Sequence, residues 1–394
     1  MKVLLFANTD WYLYNFRLSL AEALRSKGAE VVLVSPDGKY RDRFEQAGFR
    51  WIDIPLVRRS LNPLAEFVTV FRLVRLYRRE RPTIVHHFTI KCVIYGSIAA
   101  RFANVKAVIN ALTGLGHVFT DNGAQARLLR VLIQTIGKPF LRSTQVIFQN
   151  PEDQLGFEGC GLVEENASHL IRGSGVNVDR FKPCATRSSS DKKYVLLASR
   201  LLWAKGVAEY VEAAHLIRQQ MPEAVFLIAG ETDPGNPGSV PQAVIDRWID
   251  VGDVEFLGHC DDMQALIDKA DLVALPTYYG EGVPRILVEA AASGKPLVAT
   301  DMPGCREIVE PKLNGILIPA RDSRALANVI KEILTDDECR ERMGRHSRQL
   351  ACEQFSDMQV INATLQVYRR ALPVDSPTLL SPGAPAKGSE AYSG

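Results

Sequence analysis

The residues with the most chemical promise lie in "EGVPRILVEAAASGKPLVATD", where Glu281 and Glu289 stand in an E-x7-E spacing. Glu281 falls in a loop after a strand ending near Pro276. Glu289 falls inside a helix that Pro284 suits as a first-turn residue. The start of such a helix offers backbone N–H groups from Val283 to Leu287 and the positive end of its dipole, which together make an anion site. Two carboxylates beside it suit a hydroxyl-rich sugar better than the phosphate itself. The plainer alternative is one solvated loop charge and one helix-surface charge. A second segment, "LLASRLLWAKGVAEYVEAA", places Ser199, Arg200 and Lys205 after a strand. At the strand's carboxyl end the Arg fork and the Lys point charge can both grip a diphosphate. Here the alternative is a pair of solvated cations. No G-x-x-x-x-G-K-[ST] string occurs, so this is not a Walker loop.

The elements that must position these residues alternate between short apolar runs and amphipathic segments, the pattern of parallel sheets covered by helices. In the first half, strands are expected at Lys2 to Ala7, Glu30 to Ser35, Arg50 to Ile54, Ile84 to His87, Ala107 to Ala111 and Gln145 to Phe148. A helix is expected from Phe16 to Lys27. "FKPCATRSSSDKK" breaks the pattern, placing a linker from about Pro183 to Lys192. Strands then resume at Tyr194 to Ser199, Val225 to Ala229, Val254 to Leu257, Leu272 to Leu275, Pro296 to Ala299 and Gly315 to Ile318. The expected architecture is two doubly wound α/β domains facing across a cleft, each binding ligands beyond the carboxyl ends of its strands. We divide the chain into residues 1–185, residues 186–355, a last helix over 356–372 that packs back towards the first domain, and a disordered Pro, Gly and Ser rich tail over 373–394.

A chain of 394 residues that is 46% hydrophobic and 23% charged is neither disordered nor a lone binding module. Net charge is uneven: residues 1–185 hold 25 basic against 16 acidic residues, the remainder 22 against 29. This asymmetry suggests two domains with different partners, the basic one facing something anionic, whether a membrane surface, a phosphate or a nucleic acid. Seven cysteines, an odd number without a C-x-x-C pair, fit a reducing cytosol and supply no zinc site. The first residues lack the features of a signal peptide. No apolar run reaches the roughly 18 residues of a membrane span.

"ASRLLWAKG", "VEFLGHCDDM", "ADLVALPTYYGEGVPRILVEAAASGKPLVATDMPGCREIVE" and "NGILIPARDSRALANVI" together resemble the nucleotide-sugar half of the retaining glycosyltransferases of family 4, which have the GT-B fold. "GSGVNVDRF" is similar to that family's element before the domain junction. "ANTDWYLYNFRLSLAEALRSKG", "HHFTIKCVIYGSIAARFA" and "NALTGLGHVF" resemble the bacterial branch that builds lipid-linked or surface polysaccharides. The resemblance implies that Arg200 and Lys205 neutralise the donor's diphosphate. Glu289 would hold the ribose, and Glu281 the donor sugar or the charge developing around it. Gly282, Val283, Pro284, Arg285, Ile286 and Leu287 would touch the phosphates and sugar, while Gly258 and His259 would border the base. Asn15, Arg17 and Lys91, in the first-half segments, are the acceptor-binding candidates. Many members carry a Gly pair in the first loop, where this chain has Asn8, Thr9 and Asp10. Many also carry a His after the strand ending near Ala111, where Thr113 stands here and His117 follows as the candidate to reach the reacting sugar.

The implied reaction moves a hexosyl or N-acetylhexosaminyl group from a UDP-sugar to a lipid-linked or polysaccharide acceptor in bacterial glycan biosynthesis. In the family, retention is explained by front-face attack without a protein nucleophile, so no catalytic base is named. No metal or other cofactor is expected, and no nucleic-acid partner. The rivals are a UDP-sugar epimerase of the same fold and a scaffold that kept the pocket but lost transfer. A NAD-dependent dehydrogenase is disfavoured, because no G-x-G-x-x-G follows the first strand.

"NPLAEFVTVFRLVRLYRRERP" and the segment from Ala126 to Arg142 read as basic amphipathic helices able to lie on an anionic bilayer. The alternative for each is a core-facing helix with a solvated basic face. The expected place of the protein is the cytoplasm, peripheral on the inner face of the cell membrane.

Overall fold

The computed structural model describes residues 1–56, 62–114, 138–184 and 192–372. His117, residues 126–137 of the second basic segment, residues 185–191 of the expected linker and the tail from residue 373 lie outside the described residues. Strands β1 (Lys2–Phe6), β2 (Glu30–Ser35), β3 (Arg50–Asp53), β4 (Ile84–Phe88), β5 (Ala107–Leu112), β6 (Gln145–Phe148) and β7 (Ser168–Leu170) form one sheet in the order β3-β2-β1-β4-β5-β6-β7. Strands β8 (Lys193–Ala198), β9 (Ala224–Ala229), β10 (Glu255–Gly258), β11 (Leu272–Leu275), β12 (Leu297–Thr300) and β13 (Gly315–Ile318) form the other, in the order β10-β9-β8-β11-β12-β13. Pairings among β1 to β5 and among β8 to β13 are parallel. Each sheet is doubly wound, with the order reversing between β1 and β4 in the first and between β8 and β11 in the second. A crevice opens outside the carboxyl ends of strands at such a reversal.

The strands read as near-continuous apolar runs because helices cover both faces of a parallel sheet. Leu4, Phe6, Val32 and Val34 are fully buried in the first sheet, as are Val195, Leu197, Val273 and Val298 in the second. The strand expectations hold to within a residue or two at either end, but β7, only three residues long, was not anticipated. The first helix is longer than expected. It runs Asp10–Ser26 because Thr9 caps it, the hydroxyl accepting from the Tyr12 N–H at 3.1 Å.

By packing, the chain falls into two compact units. One comprises Met1–Ala111, Ser143–Val146 and the chain from Ile361; the other comprises Leu112–Arg142 and Ile147–Val360. Within the first unit, Tyr368 of the closing helix (Asp357–Ala371) joins its hydroxyl to Nδ1 of the buried His86 on β4 at 2.8 Å. A pair of this kind fixes the helix to the sheet from inside the core.

Candidate active site

In the second unit the reversal point brings the two chemically promising segments side by side. β8 and β11 are hydrogen-bonded neighbours, so the loops leaving their carboxyl ends run together. Two bonds stitch them: Thr277 donates its hydroxyl to the Ala204 carbonyl at 3.1 Å, and the Tyr278 N–H donates to the same oxygen at 2.8 Å. Gly206 must be glycine, because it sits at φ +75° and a Cβ there would run into the Pro276 carbonyl.

This junction places Lys205 Nζ 2.5 Å from Glu281 Oε1. Both side chains are largely withdrawn from solvent, at 9% and 18% exposure, which strengthens their interaction relative to a surface pair. Thr277, fully buried, also sets its hydroxyl oxygen 3.1 Å from Glu281 Oε1, so its one proton is shared between this carboxylate and the Ala204 carbonyl. The Tyr279 ring lies 5.3 Å from the ammonium. Of the predicted site residues, Lys205 and Glu281 are thus held together.

Arg200 is not in that pair. Its guanidinium reaches Asp233 Oδ2 at 2.9 Å, and the Arg side chain is 43% exposed. Asn236 donates to the same carboxylate oxygen at 2.9 Å, which fixes the loop after β9. Glu289 likewise has a partner of its own. Arg285, one helical turn earlier, donates from Nε to Glu289 Oε1 at 2.7 Å. The same guanidinium donates to Ser174 Oγ at 3.1 Å and to the Gly175 carbonyl at 2.5 Å, tying "GSGV" to the helix Arg285–Ala292.

The turn before that helix is held in part by a residue that sequence reasoning missed. Gln149, buried at the end of β6, accepts the Val283 N–H at 3.1 Å through Oε1, and the Thr113 carbonyl accepts the Gly282 N–H at 3.3 Å. Glycine is required at 304, where a Cβ would run into the Gly282 carbonyl, and at 282 a Cβ would displace the Gln149 amide. The expected run of free N–H groups is corrected in two places. Val283 donates to Gln149, and Leu287 donates to the Pro284 carbonyl at 3.1 Å, while Pro284 caps the helix rather than lying within it. The signal for Gln149 was a polar residue just past the carboxyl end of β6, and for Thr277 a hydroxyl two residues beyond the end of β11.

Gly258 closes β10 at φ +66°, its carbonyl accepting from Gly230 N–H at 2.7 Å, so the loops after β9 and β10 also meet at the carboxyl edge. His259, beyond it, is solvent-exposed, with Nε2 3.3 Å from Asp261 Oδ1. Among the described residues no cluster of three or more His, Cys, Asp or Glu side chains is placed to hold a metal ion.

The acceptor candidates lie in the first unit, around its own reversal point. Arg17, buried on the helix after β1, donates to the Tyr12 hydroxyl at 2.9 Å and stacks over Phe88 at the end of β4, 4.4 Å from the ring centre. Lys91, on the helix Ile90–Phe102 after β4, pairs with Glu66 at 2.7 Å. Asn15 is exposed and donates to the Trp11 carbonyl at 2.9 Å. Each has a partner of its own. Asp10 of the first loop is structural, its carboxylate accepting the N–H groups of Trp11 and Tyr40 at 2.7 Å each.

Residues 2–150 match the family described as "Glycosyl transferase 4-like", and residues 180–350 the family "Glycosyl transferases group 1". The chain is 27% identical, over 91% of its length and 96% of the relative's, to the N,N'-diacetylbacillosaminyl-diphospho-undecaprenol alpha-1,3-N-acetylgalactosaminyltransferase of Campylobacter jejuni. It is 23% identical, over 80% of its length and 82% of the relative's, to the UDP-Gal:alpha-D-GlcNAc-diphosphoundecaprenol alpha-1,3-galactosyltransferase of Escherichia coli. Anabaena HepE, solved in complex with UDP-glucose, is similar with a TM-score of 0.75 at 22% identity, covering 94% of this chain and 99% of that one. Two doubly wound parallel domains of this kind are the GT-B fold. With residues 2–150 and 180–350 matching two glycosyltransferase families in succession, the protein is a glycosyltransferase with a 4-like first domain and a group 1 second domain.

Proposed function

We propose that this enzyme is a retaining transferase that moves a hexosyl or N-acetylhexosaminyl group from a UDP-sugar to a lipid-linked acceptor in bacterial glycan assembly. The observation that carries the reading is the Lys205–Glu281 pair at the carboxyl ends of β8 and β11. As the glycosidic bond to the diphosphate breaks, the leaving group gains negative charge and the anomeric carbon becomes electron-poor. A buried ammonium beside the phosphates and a carboxylate beside the sugar oppose both changes without rearranging. Arg200 adds a second cation on the same sheet edge, and the helix starting at Arg285 adds its dipole. Glu289, one turn inside that helix, is assigned to the ribose. No step is given to a metal ion, since these groups supply the positive charge that the leaving group needs.

The relatives support the donor and acceptor classes, since the named substrates of two of them are diphospho-undecaprenol lipids and HepE was solved with UDP-glucose. Asn15, Arg17 and Lys91 are assigned to the acceptor. A lipid-linked acceptor places the enzyme at the inner face of the cell membrane as a peripheral protein; among the described residues no helix is long and apolar enough to cross one. The test is to supply UDP-sugars with and without bacterial lipid extract, with and without EDTA, and follow UDP release. Extract-dependent release that survives EDTA is expected, with the anomeric configuration of the product matching the donor's. Conversion of the sugar without extract would replace transfer by epimerisation, and UDP-sugar binding without turnover would leave only a scaffold.

A further inference from the structure

The helix Pro63–Glu80 carries two apolar faces, and only one is used by the fold. Thr69, Leu73, Leu76 and Tyr77 are buried in the first unit, as a core-facing helix requires. Leu64, Phe67, Val68 and Phe71 are 77%, 69%, 44% and 59% exposed. Their i, i+3, i+4, i+7 spacing makes them one stripe on the opposite side. Carried on along the helix, the same stripe runs through Arg72, Arg75, Arg78 and Arg79, all exposed. At the basic end Arg78 donates to the Phe102 carbonyl at 3.0 Å, and Phe102 is itself 60% exposed. The helix's two carboxylates, Glu66 and Glu80, point to the other side, where Lys91, and Lys2 with Arg50, hold them.

We propose that this stripe docks the enzyme on an anionic lipid bilayer, the phenylalanines and Leu64 entering the acyl boundary while the arginines lie among the headgroup phosphates. The inference deepens the lipid-linked reading above but stands on a separate observation. A solvated basic face would not continue into four exposed apolar side chains, and a purely apolar protein partner would not call for four arginines in line with them. A bilayer interface meets both needs at once, taking up apolar surface to a depth of about 5–10 Å and attracting basic groups through its surface potential. Charge complementarity thus selects the occupant. Residues 1–185 hold 25 basic against 16 acidic residues, which adds longer-range attraction to the same surface.

The test is co-sedimentation of the full chain with vesicles of phosphatidylcholine alone or with phosphatidylglycerol added, at low and high salt. Wild type should pellet with the anionic vesicles and be released by salt. The triple variant Leu64→Ser/Phe67→Ser/Phe71→Ser should lose binding already at low salt. Arg72→Glu/Arg75→Glu should weaken anionic binding by roughly tenfold or more. These positions are exposed, so unchanged melting curves should show that both variants fold. Failure of wild type to bind anionic vesicles at low salt would overturn the proposal. So would a dimer in light scattering that the triple variant dissolves, which would make a second copy the occupant. UDP release with a water-soluble acceptor analogue separates the two readings. Vesicle binding without transfer defeats the catalytic assignment alone, and transfer without vesicle binding defeats the docking surface alone.

Discussion

Lys205 Nζ lies 2.5 Å from Glu281 Oε1, although the two residues belong to segments separated by three strands of chain. The carboxylate neutralises the ammonium. On the proposed reading the diphosphate binds this same ammonium from its other side, with Glu281 already in place to face the sugar. The pair therefore keeps a buried cation satisfied between turnovers, which an isolated lysine at this depth would not be.

Removing either cation should show this directly. Lys205→Ala is expected to lower kcat/KM by roughly 100-fold or more, because a buried charge acts on the leaving group without solvent screening. Arg200→Ala, half-exposed and already paired with Asp233, is expected to cost about tenfold. Steady-state UDP release checks both, and near-normal rates in Lys205→Ala would remove the diphosphate assignment.

The two carboxylates should separate by the kinetic constant they affect. A ribose contact is made equally in ground and transition states, so Glu289→Gln should weaken UDP affinity in calorimetry and leave kcat nearly unchanged. Glu281→Gln should do the reverse. Because Arg285 holds Glu289 and the 174–175 loop together, Arg285→Ala should imitate Glu289→Gln in affinity and also lower the melting temperature.

Gly304→Ala tests the turn that carries Glu281. A methyl group at 304 meets the Gly282 carbonyl and lies 2.9 Å from the Glu281 carbonyl oxygen, so backbone rather than a pliable side chain has to yield. Overpacking of this kind costs about 1–3 kcal/mol, visible in urea unfolding. If the turn moves, turnover should fall by about tenfold or more even at saturating donor.

The sequence made the sheets legible because parallel strands buried on both faces must be apolar along their length, and β8, β11 and the rest announce themselves that way. It made Lys205 and Glu281 legible through a resemblance carried by whole segments. What it hid was partnership. Nothing in the spacing of Arg200 points to Asp233, 33 positions on, since that pairing depends on the loop after β9 folding back along the sheet edge. Gln149 was hidden for the same reason: its task, accepting the Val283 N–H, exists only once residue 149 and the turn at Gly282 are neighbours within the second unit. On the helix Pro63–Glu80 the pattern showed apolar and basic residues, but which apolar ones face the core depends on where the helix rests on the sheet.

Glu80, the last residue of that helix, gives the clearest expectation for stability against pH. Its side chain is only 4% exposed, and a carboxylate at a helix C-terminus opposes the helix dipole. Burial raises its pKa, but hydrogen bonds from Arg50, Lys2 and Arg79 outweigh that and bring it from 4.5 down to about 2. Arg50 makes two of them, both at 2.8 Å, and Lys2 one at 3.2 Å, so Glu80 joins the helix to β1 and β3. A carboxylate with a folded pKa below its unfolded one stabilises fully above pH 4.5, and that contribution disappears as pH falls towards 2. Glu80→Gln should therefore cost about 2 kcal/mol at neutral pH, the scale of lost hydrogen bonds to charged groups. The gap between wild type and variant in urea unfolding should then close steadily between pH 4.5 and the acid limit of the folded state. A gap that stays constant over that range would mean that the three cations hold the helix end through the neutral acid as well as through the carboxylate.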